Sequence, residues 1–229
     1  MIAYRNITID AFRTAWLPVN IQAAMLRLDK LHPEMPGNKW FKLKENLAIA
    51  EKNKQEGILT FGGAYSNHIA ATAAACALAN LRAIGVIRGE KPPEGNHTLA
   101  KAASYGMELH YVSREAYRGA GLVADWQARF KNYHVVPEGG HNAPGARGCE
   151  EILSIVPTAG FTHILCAVGT GTTLAGLINS AQPHQQVTGI PVLKGAQYLE
   201  KAVSNLVRPG NTVNWQLLYD HHGGGYAPK

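Results

Sequence analysis

The sequence predicts an α/β protein built on mostly parallel sheet, and three observations carry that expectation. Short apolar, β-branched runs recur at fairly even spacing along the 229 residues. Stretches of helical periodicity lie between them, the pattern of repeated strand–helix–strand units. Two glycine-rich turns stand directly after strand-like runs, the place where parallel sheets gather ligands.

The strand-like runs are Ile58 to Phe61, Ala83 to Ile87, Met107 to Val112, His134 to Val136, His163 to Val168 and Val187 to Leu193. Trp215 to Tyr219 is a last such run. Leu43, Leu47 and Ala50 mark one helical stripe, and Leu122, Trp126 and Phe130 mark another. The alanine-rich stretch Ile69 to Ala79 makes a further helix, with Cys76 as a small core residue on it. Met25, Trp126 and Phe130 read as core. Gly139-Gly140 and Gly145 to Gly148 read as glycine-dense turns that could mark a crossing between subdomains. The ending His221-His222-Gly223-Gly224-Gly225-Tyr226 looks like a turn that should lead into another element, so the fold reads as unfinished at its C-terminal end.

Composition narrows the function. With 46% hydrophobic and 17% charged residues the chain is globular rather than disordered or fibrous. Cys76, Cys149 and Cys166 form neither a CxxC motif nor a disulfide framework, so reduced thiols in a cytoplasmic protein are expected. Met1 to Ala11 lacks the pattern of a secretory signal. Ile69 to Leu81, the most apolar segment, is too short for a bilayer and is interrupted by Thr72 and Asn80, so no membrane partner is expected. The net charge is +6, yet the 22 Lys and Arg are spread, with one local cluster at Lys39, Lys42 and Lys44. That distribution argues against nucleic acid and for a small anionic ligand. His221-His222 have no further ligand cluster beside them, so no metal is expected.

Three motifs carry chemistry. In Gly37-Asn38-Lys39-Trp40-Phe41-Lys42-Leu43-Lys44, a turn signal precedes a helical pattern beginning at Lys42. Lys39 then sits at a helix mouth, where the positive end of the helix disfavours an ammonium and favours a nucleophilic amine; a solvated lysine is the plainer alternative. Phe61-Gly62-Gly63-Ala64-Tyr65-Ser66-Asn67-His68 follows a strand directly. Ser66 or Asn67 suits an N-cap, and the free N–H groups there suit a carboxylate or phosphate. An ordinary capped turn would explain the glycines but not four polar side chains in a row. Val168-Gly169-Thr170-Gly171-Thr172-Thr173 again joins a strand to a helix and suits a phosphate. No acidic ribose-binding residue follows it and it has no Walker lysine, so a monophosphate fits better than NAD or ATP.

In this order and spacing the motifs resemble the 1-aminocyclopropane-1-carboxylate deaminase and D-cysteine desulfhydrase family. The resemblance runs from about Arg27 to Thr173 and weakens beyond it. It implies a tryptophan-synthase-β-like fold (fold type II), with residues 1–42 and 141–229 as a larger subdomain and 43–140 as a smaller one. It also implies the cofactor pyridoxal 5'-phosphate (PLP), a small amino-acid substrate, release of ammonia and a 2-oxo acid, and a homodimer. By position, Lys39 would form the Schiff base with PLP, and Asn67 would meet the ring hydroxyl. Gly169, Thr170, Gly171, Thr172 and Thr173 would cradle the phosphate. Ser66, with His68 and Tyr65 beside it, would hold the substrate carboxylate or act in acid/base or nucleophilic chemistry. Tyr65 departs from the family's usual Gln, and the family chain runs on past this length to supply a partner for the pyridine nitrogen. Two rival readings are a PLP-binding protein without turnover and a Rossmann-like nucleotide-binding protein.

Overall fold

Alternation of strand and helix is carried through most of the chain, but it builds two parallel sheets and a separate hairpin. The structure, a computed structural model, describes residues 2–92 and 95–222. The hairpin comes first, with β1 (Ile9–Phe12) antiparallel to β2 (Ala23–Leu26). After α1 (Lys39–Lys52) come β3 (Gly57–Gly63), α2 (Asn67–Leu78), β4 (Arg82–Arg88), α3 (His97–Ser104), β5 (Glu108–Val112), α4 (Arg114–Arg118), α5 (Leu122–Arg129) and β6 (Tyr133–Val136). Their strands form a parallel sheet in the order β5-β4-β3-β6. Then α6 (Ala143–Glu150), β7 (His163–Val168), α7 (Thr172–Ser180), β8 (Gln186–Pro191), α8 (Tyr198–Ser204) and β9 (Asn214–Leu217) follow, with a second parallel sheet in the order β7-β8-β9.

Every strand-like run of the sequence overlaps one of these strands, and those strands are parallel as expected, though the runs at Met107, Val192–Leu193 and Leu218–Tyr219 reach past the strand ends. β3 is central in its sheet and buried along nearly its whole length, as a strand covered by helices must be. α1 serves both cores: Phe41 packs with Leu174, Ile178 and Leu199, while Leu43, Leu47 and Ala50 pack with Ile58, Ile69 and Ala73.

Three expectations are corrected. Gly145 to Gly148 lie inside α6 rather than in a turn. These glycines allow close packing: a Cβ at Gly148 would lie 1.9 Å from the Phe41 carbonyl oxygen, and one at Gly145 would lie 2.4 Å from the Gly140 oxygen. The helical pattern starts at Lys39, three residues before Lys42. Met25 is 56% exposed on the hairpin rather than in the core, whereas Trp126 is buried with Phe130 stacked on it and Cys76 is buried on α2. The glycine-rich ending, from Gly223 on, lies outside the described residues. Among those described, no helix is long and apolar enough to cross a membrane.

Candidate active site

Gly37, at φ +65°, makes the turn that delivers Asn38 and Lys39 to the head of α1. One turn further on, Lys42 is 5% exposed and points away from solvent. Its Nζ donates to the Gly139 carbonyl at 3.1 Å and to Thr170 Oγ1 at 3.2 Å, which ties the lysine motif to the glycine–threonine turn. Lys39 Nζ donates to Asn38 Oδ1 at 2.8 Å. Lys44, the third lysine of the cluster, is turned elsewhere and pairs with Glu151.

Among the described residues neither Lys39 nor Lys42 is paired with a carboxylate. Burial therefore dominates both. It lowers the Lys39 pKa, opposed by Cys149 and Cys166, and it pushes Lys42 down to about 8, helped by the charge of Lys39. Loss of solvent, rather than the helix terminus, is the main cause that favours a neutral amine at Lys39.

The turn after β7 faces these lysines. Gly171 takes φ +84°, and a Cβ there would lie 2.8 Å from Val203 Cγ2, so only glycine fits without strain. That clash is with the protein's own core, not with an approaching ligand. Gly169 has open space where a Cβ would be. α7 begins at Thr172, and its first-turn N–H groups have no carbonyl partner within the helix. His141 Nδ1 lies 3.2 Å from Thr172 Oγ1, and Asn38 Nδ2 donates to Thr173 Oγ1. Asn38, Lys42, Val168, Gly169, Thr170 and Thr173 line one small polar pocket.

The third motif starts α2. Ser66 is the N-cap, with Oγ accepting from the Ile69 N–H at 3.4 Å. Asn67 is exposed, and Tyr65, also exposed, lies beside the His97 ring. His68 joins this motif to the lysines: its Cε1 and the Lys42 side chain lie 3.5 and 3.2 Å from the position a Cβ on Gly140 would take.

His68 does not match its expected part. It is 3% exposed, with Nε2 2.9 Å from Thr60 Oγ1. Thr60 donates its own hydrogen to the Val136 carbonyl, so Nε2 must carry a hydrogen and Nδ1 a lone pair. Burial and the two lysines push its pKa down to about 3. A neutral ring whose one N–H is already committed is a poor carboxylate anchor. Arg27 and Asp29 form a half-exposed ion pair, with Asp10 also on Arg27.

The motifs thus converge, and their chemistry fits PLP. A buried lysine, Lys42, without a counter-ion and next to the open start of α7 suits a compact anion. A phosphate would meet that need, and Lys39, one turn before Lys42 on α1, is half-buried with its pKa lowered by desolvation. The residues to which patterning gave no individual role are Lys42, His141 and the side chain of Asn38. Lys42 and Asn38 sit inside the recognised motif, and their roles depend on contacts across about 130 residues of chain. A cleft of about 470 Å³ lies elsewhere, between α3 and β5, lined by Lys91, Leu99, Met107 and Tyr111 among others. None of the motif residues reaches it.

Comparison with known proteins agrees with this geometry. The sequence model of the family described as "Pyridoxal-phosphate dependent enzyme" matches residues 17–216. A Thermotoga maritima protein, provisionally named a 1-aminocyclopropane-1-carboxylate deaminase, is 32% identical over 212 residues, covering 83% of this chain and 67% of its own. The mitochondrial bifunctional D-cysteine desulfhydrase/1-aminocyclopropane-1-carboxylate deaminase of Arabidopsis thaliana is 30% identical over 196 residues, covering 77% of this chain and 49% of its own. The chain therefore spans between half and two thirds of the length of these relatives. A crystal structure of an ACC deaminase homologue superimposes with a TM-score of 0.75 at 24% identity, covering 97% of this chain and 73% of the other, which shows the tryptophan-synthase-β-like fold. With its three motifs gathered at one site, the chain belongs to the pyridoxal-phosphate dependent enzyme family, in the group of 1-aminocyclopropane-1-carboxylate deaminases and D-cysteine desulfhydrases.

Proposed function

We propose that this chain carries out PLP-dependent lyase or deaminase chemistry on a small amino acid of the D-cysteine or 1-aminocyclopropane-1-carboxylate class, releasing ammonia and a 2-oxo acid. The observation that carries the reading is Lys42, buried without a carboxylate partner and hydrogen-bonded to the turn that opens α7. Half-buried Lys39 stands one turn earlier on the same helix, also without a carboxylate among the described residues. PLP, when bound, supplies an electron sink for the carbanion formed on the substrate.

The protein's own residues do the rest. Lys42 and Gly169 to Thr173 hold the phosphate by charge, N–H groups and hydroxyls. Lys39 supplies the amine that attaches the cofactor. With its pKa lowered by desolvation, its Nζ is suited to take a substrate proton and return it. Asn67, exposed at the start of α2, orients the cofactor ring through its hydroxyl. Ser66 binds the substrate carboxylate with the N–H groups of the same helix end, and exposed Tyr65 borders the substrate. The two-subdomain division belongs to this reading, with 43–140 around the first sheet and 1–42 with 141–229 around the second. The boundary within α1 is supported by Phe41 and Leu43 packing into different cores.

The test is ammonia release from D-cysteine and from 1-aminocyclopropane-1-carboxylate, in the wild-type protein and in Ser66→Ala. The variant should keep the cofactor's absorbance. It should lose roughly ten- to a hundredfold in turnover, the worth of one hydrogen bond to a charged carboxylate. No ammonia from either substrate, or full activity in Ser66→Ala, contradicts the reading.

A further inference from the structure

We infer that Asn38 is a positioning residue whose one amide group sets both the cofactor-bearing lysine and the phosphate-binding hydroxyl of Thr173. The inference rests on the PLP reading above and extends it to a residue next to the lysine.

Asn38 occupies the N-cap of α1, the position where an asparagine side chain ordinarily accepts a hydrogen bond from the helix's first N–H groups. Its side chain makes no such bond. Instead it spans from Lys39 to the start of α7, with Oδ1 accepting from Lys39 Nζ at 2.8 Å and Nδ2 donating to Thr173 Oγ1. The orientation of the amide is not arbitrary. A charged lysine can only donate, so in that state the oxygen faces Lys39 and the NH2 faces Thr173. The cap is given up for a contact joining residues 135 apart in sequence.

The consequence for Thr173 follows from counting donors. Its oxygen accepts from Asn38 Nδ2, and the Cys149 thiol is the other recorded donor toward it, at 4.0 Å. Both recorded contacts arrive at the oxygen, so the hydroxyl hydrogen is left for an acceptor in the pocket that Asn38, Lys42 and Gly169 share with Thr173. A phosphate is such an acceptor. For Lys39, a neutral acceptor fixes one N–H without adding negative charge, so the amine is oriented but not held as an ammonium. A carboxylate in the same place would orient it and also raise its pKa.

Asn38→Asp separates these roles because it keeps the shape and reverses the donor. The carboxylate would take the Thr173 hydrogen for itself and hold the Lys39 proton more tightly. Two quantities are read, both without turnover: the affinity for PLP relative to pyridoxal, which lacks the phosphate, and the pH dependence of covalent attachment followed by absorbance. Circular dichroism reports folding, and Asn38→Ala serves as the second variant. Asn38→Asp should lower the PLP-to-pyridoxal affinity ratio roughly ten- to a hundredfold and move the pH midpoint of attachment upward. Asn38→Ala should lower the ratio without that upward move. Wild-type ratio and pH profile in both variants, with wild-type protein attaching PLP normally, overturn the inference alone. No attachment of PLP in the wild-type protein overturns the PLP reading and this inference with it.

Discussion

Replacing Lys42 by methionine is expected to stabilise the cofactor-free protein while removing most of its affinity for PLP. The two effects have one cause. Lys42 is 5% exposed and meets only a carbonyl and a hydroxyl, so its charge is desolvated without an opposite charge to compensate. Methionine fills much of the same space without charge. The fall of the pKa from 10.5 to about 8 corresponds to roughly 3 kcal/mol of penalty on the charged form. The sign with pH is fixed by linkage. Between about 8 and 10.5 the unfolded chain still binds the proton that the folded protein has released, so stability of the cofactor-free protein rises with pH across that window. Below about 8 both states are charged and the full penalty is present. Lys42→Met should lack most of that rise. Bound phosphate should flatten it too, by restoring Lys42 to its charged form. Removing one partner of a buried charge pair costs about 2–5 kcal/mol, which is roughly thirty- to several thousandfold in PLP affinity. Thermal melts across pH, with and without PLP, read both halves. A destabilised apo variant that binds PLP as the wild type does would contradict the assignment of Lys42.

Gly148→Ala should be strongly destabilising. The added Cβ would lie 1.9 Å from the Phe41 carbonyl oxygen and 3.3 Å from Lys44 Cγ. The first contact is with backbone, so no rotamer change relieves it, and α1 must move away from α6. Overpacking a core typically costs about 1–3 kcal/mol and occasionally more, and this site belongs at the upper end. α1 also carries Lys39 and Lys42, so PLP binding should fall along with stability. Gly160→Ala, where a Cβ meets nothing within 4 Å, is the control. Denaturant midpoints for the two variants decide it: equal midpoints would mean that the helices are not packed as closely as described.

Much of the fold was legible because its strands are short apolar runs bounded by polar or glycine-rich turns, and such runs need no knowledge of what they pack against. The β1–β2 hairpin was not legible. Ile-Asp-Ala-Phe and Ala-Ala-Met-Leu have no β-branched enrichment or strict alternation, and both strands are only partly buried. Glycines 145 and 148 misled in the opposite direction, since glycine in a sequence signals a turn but here it permits backbone contact between helices. At the site, Lys39 and the glycine–threonine turn could be proposed from the sequence because each is a local motif. The roles of Lys42 and Asn38 could not, because burial of a lysine and the partner of an amide are set by residues more than a hundred positions away. His68 shows the same limit: only its bond to Thr60, and the Thr60 bond to Val136, fix its ring as a donor to Thr60 through Nε2.

Borohydride reduction of the PLP-treated protein, followed by peptide mapping, tests the central claim most directly. Three lysines lie within six residues of one another on the same helix, and the structure gives them different fates. Lys39 is half-buried and donates to Asn38, Lys42 is committed to the turn, and Lys44 is paired with Glu151. The pyridoxyl group should be found on Lys39, and Lys39→Ala should abolish the adduct while Lys44→Ala leaves it in place. A pyridoxyl group on Lys42 or Lys44, or on no lysine at all, would contradict the account.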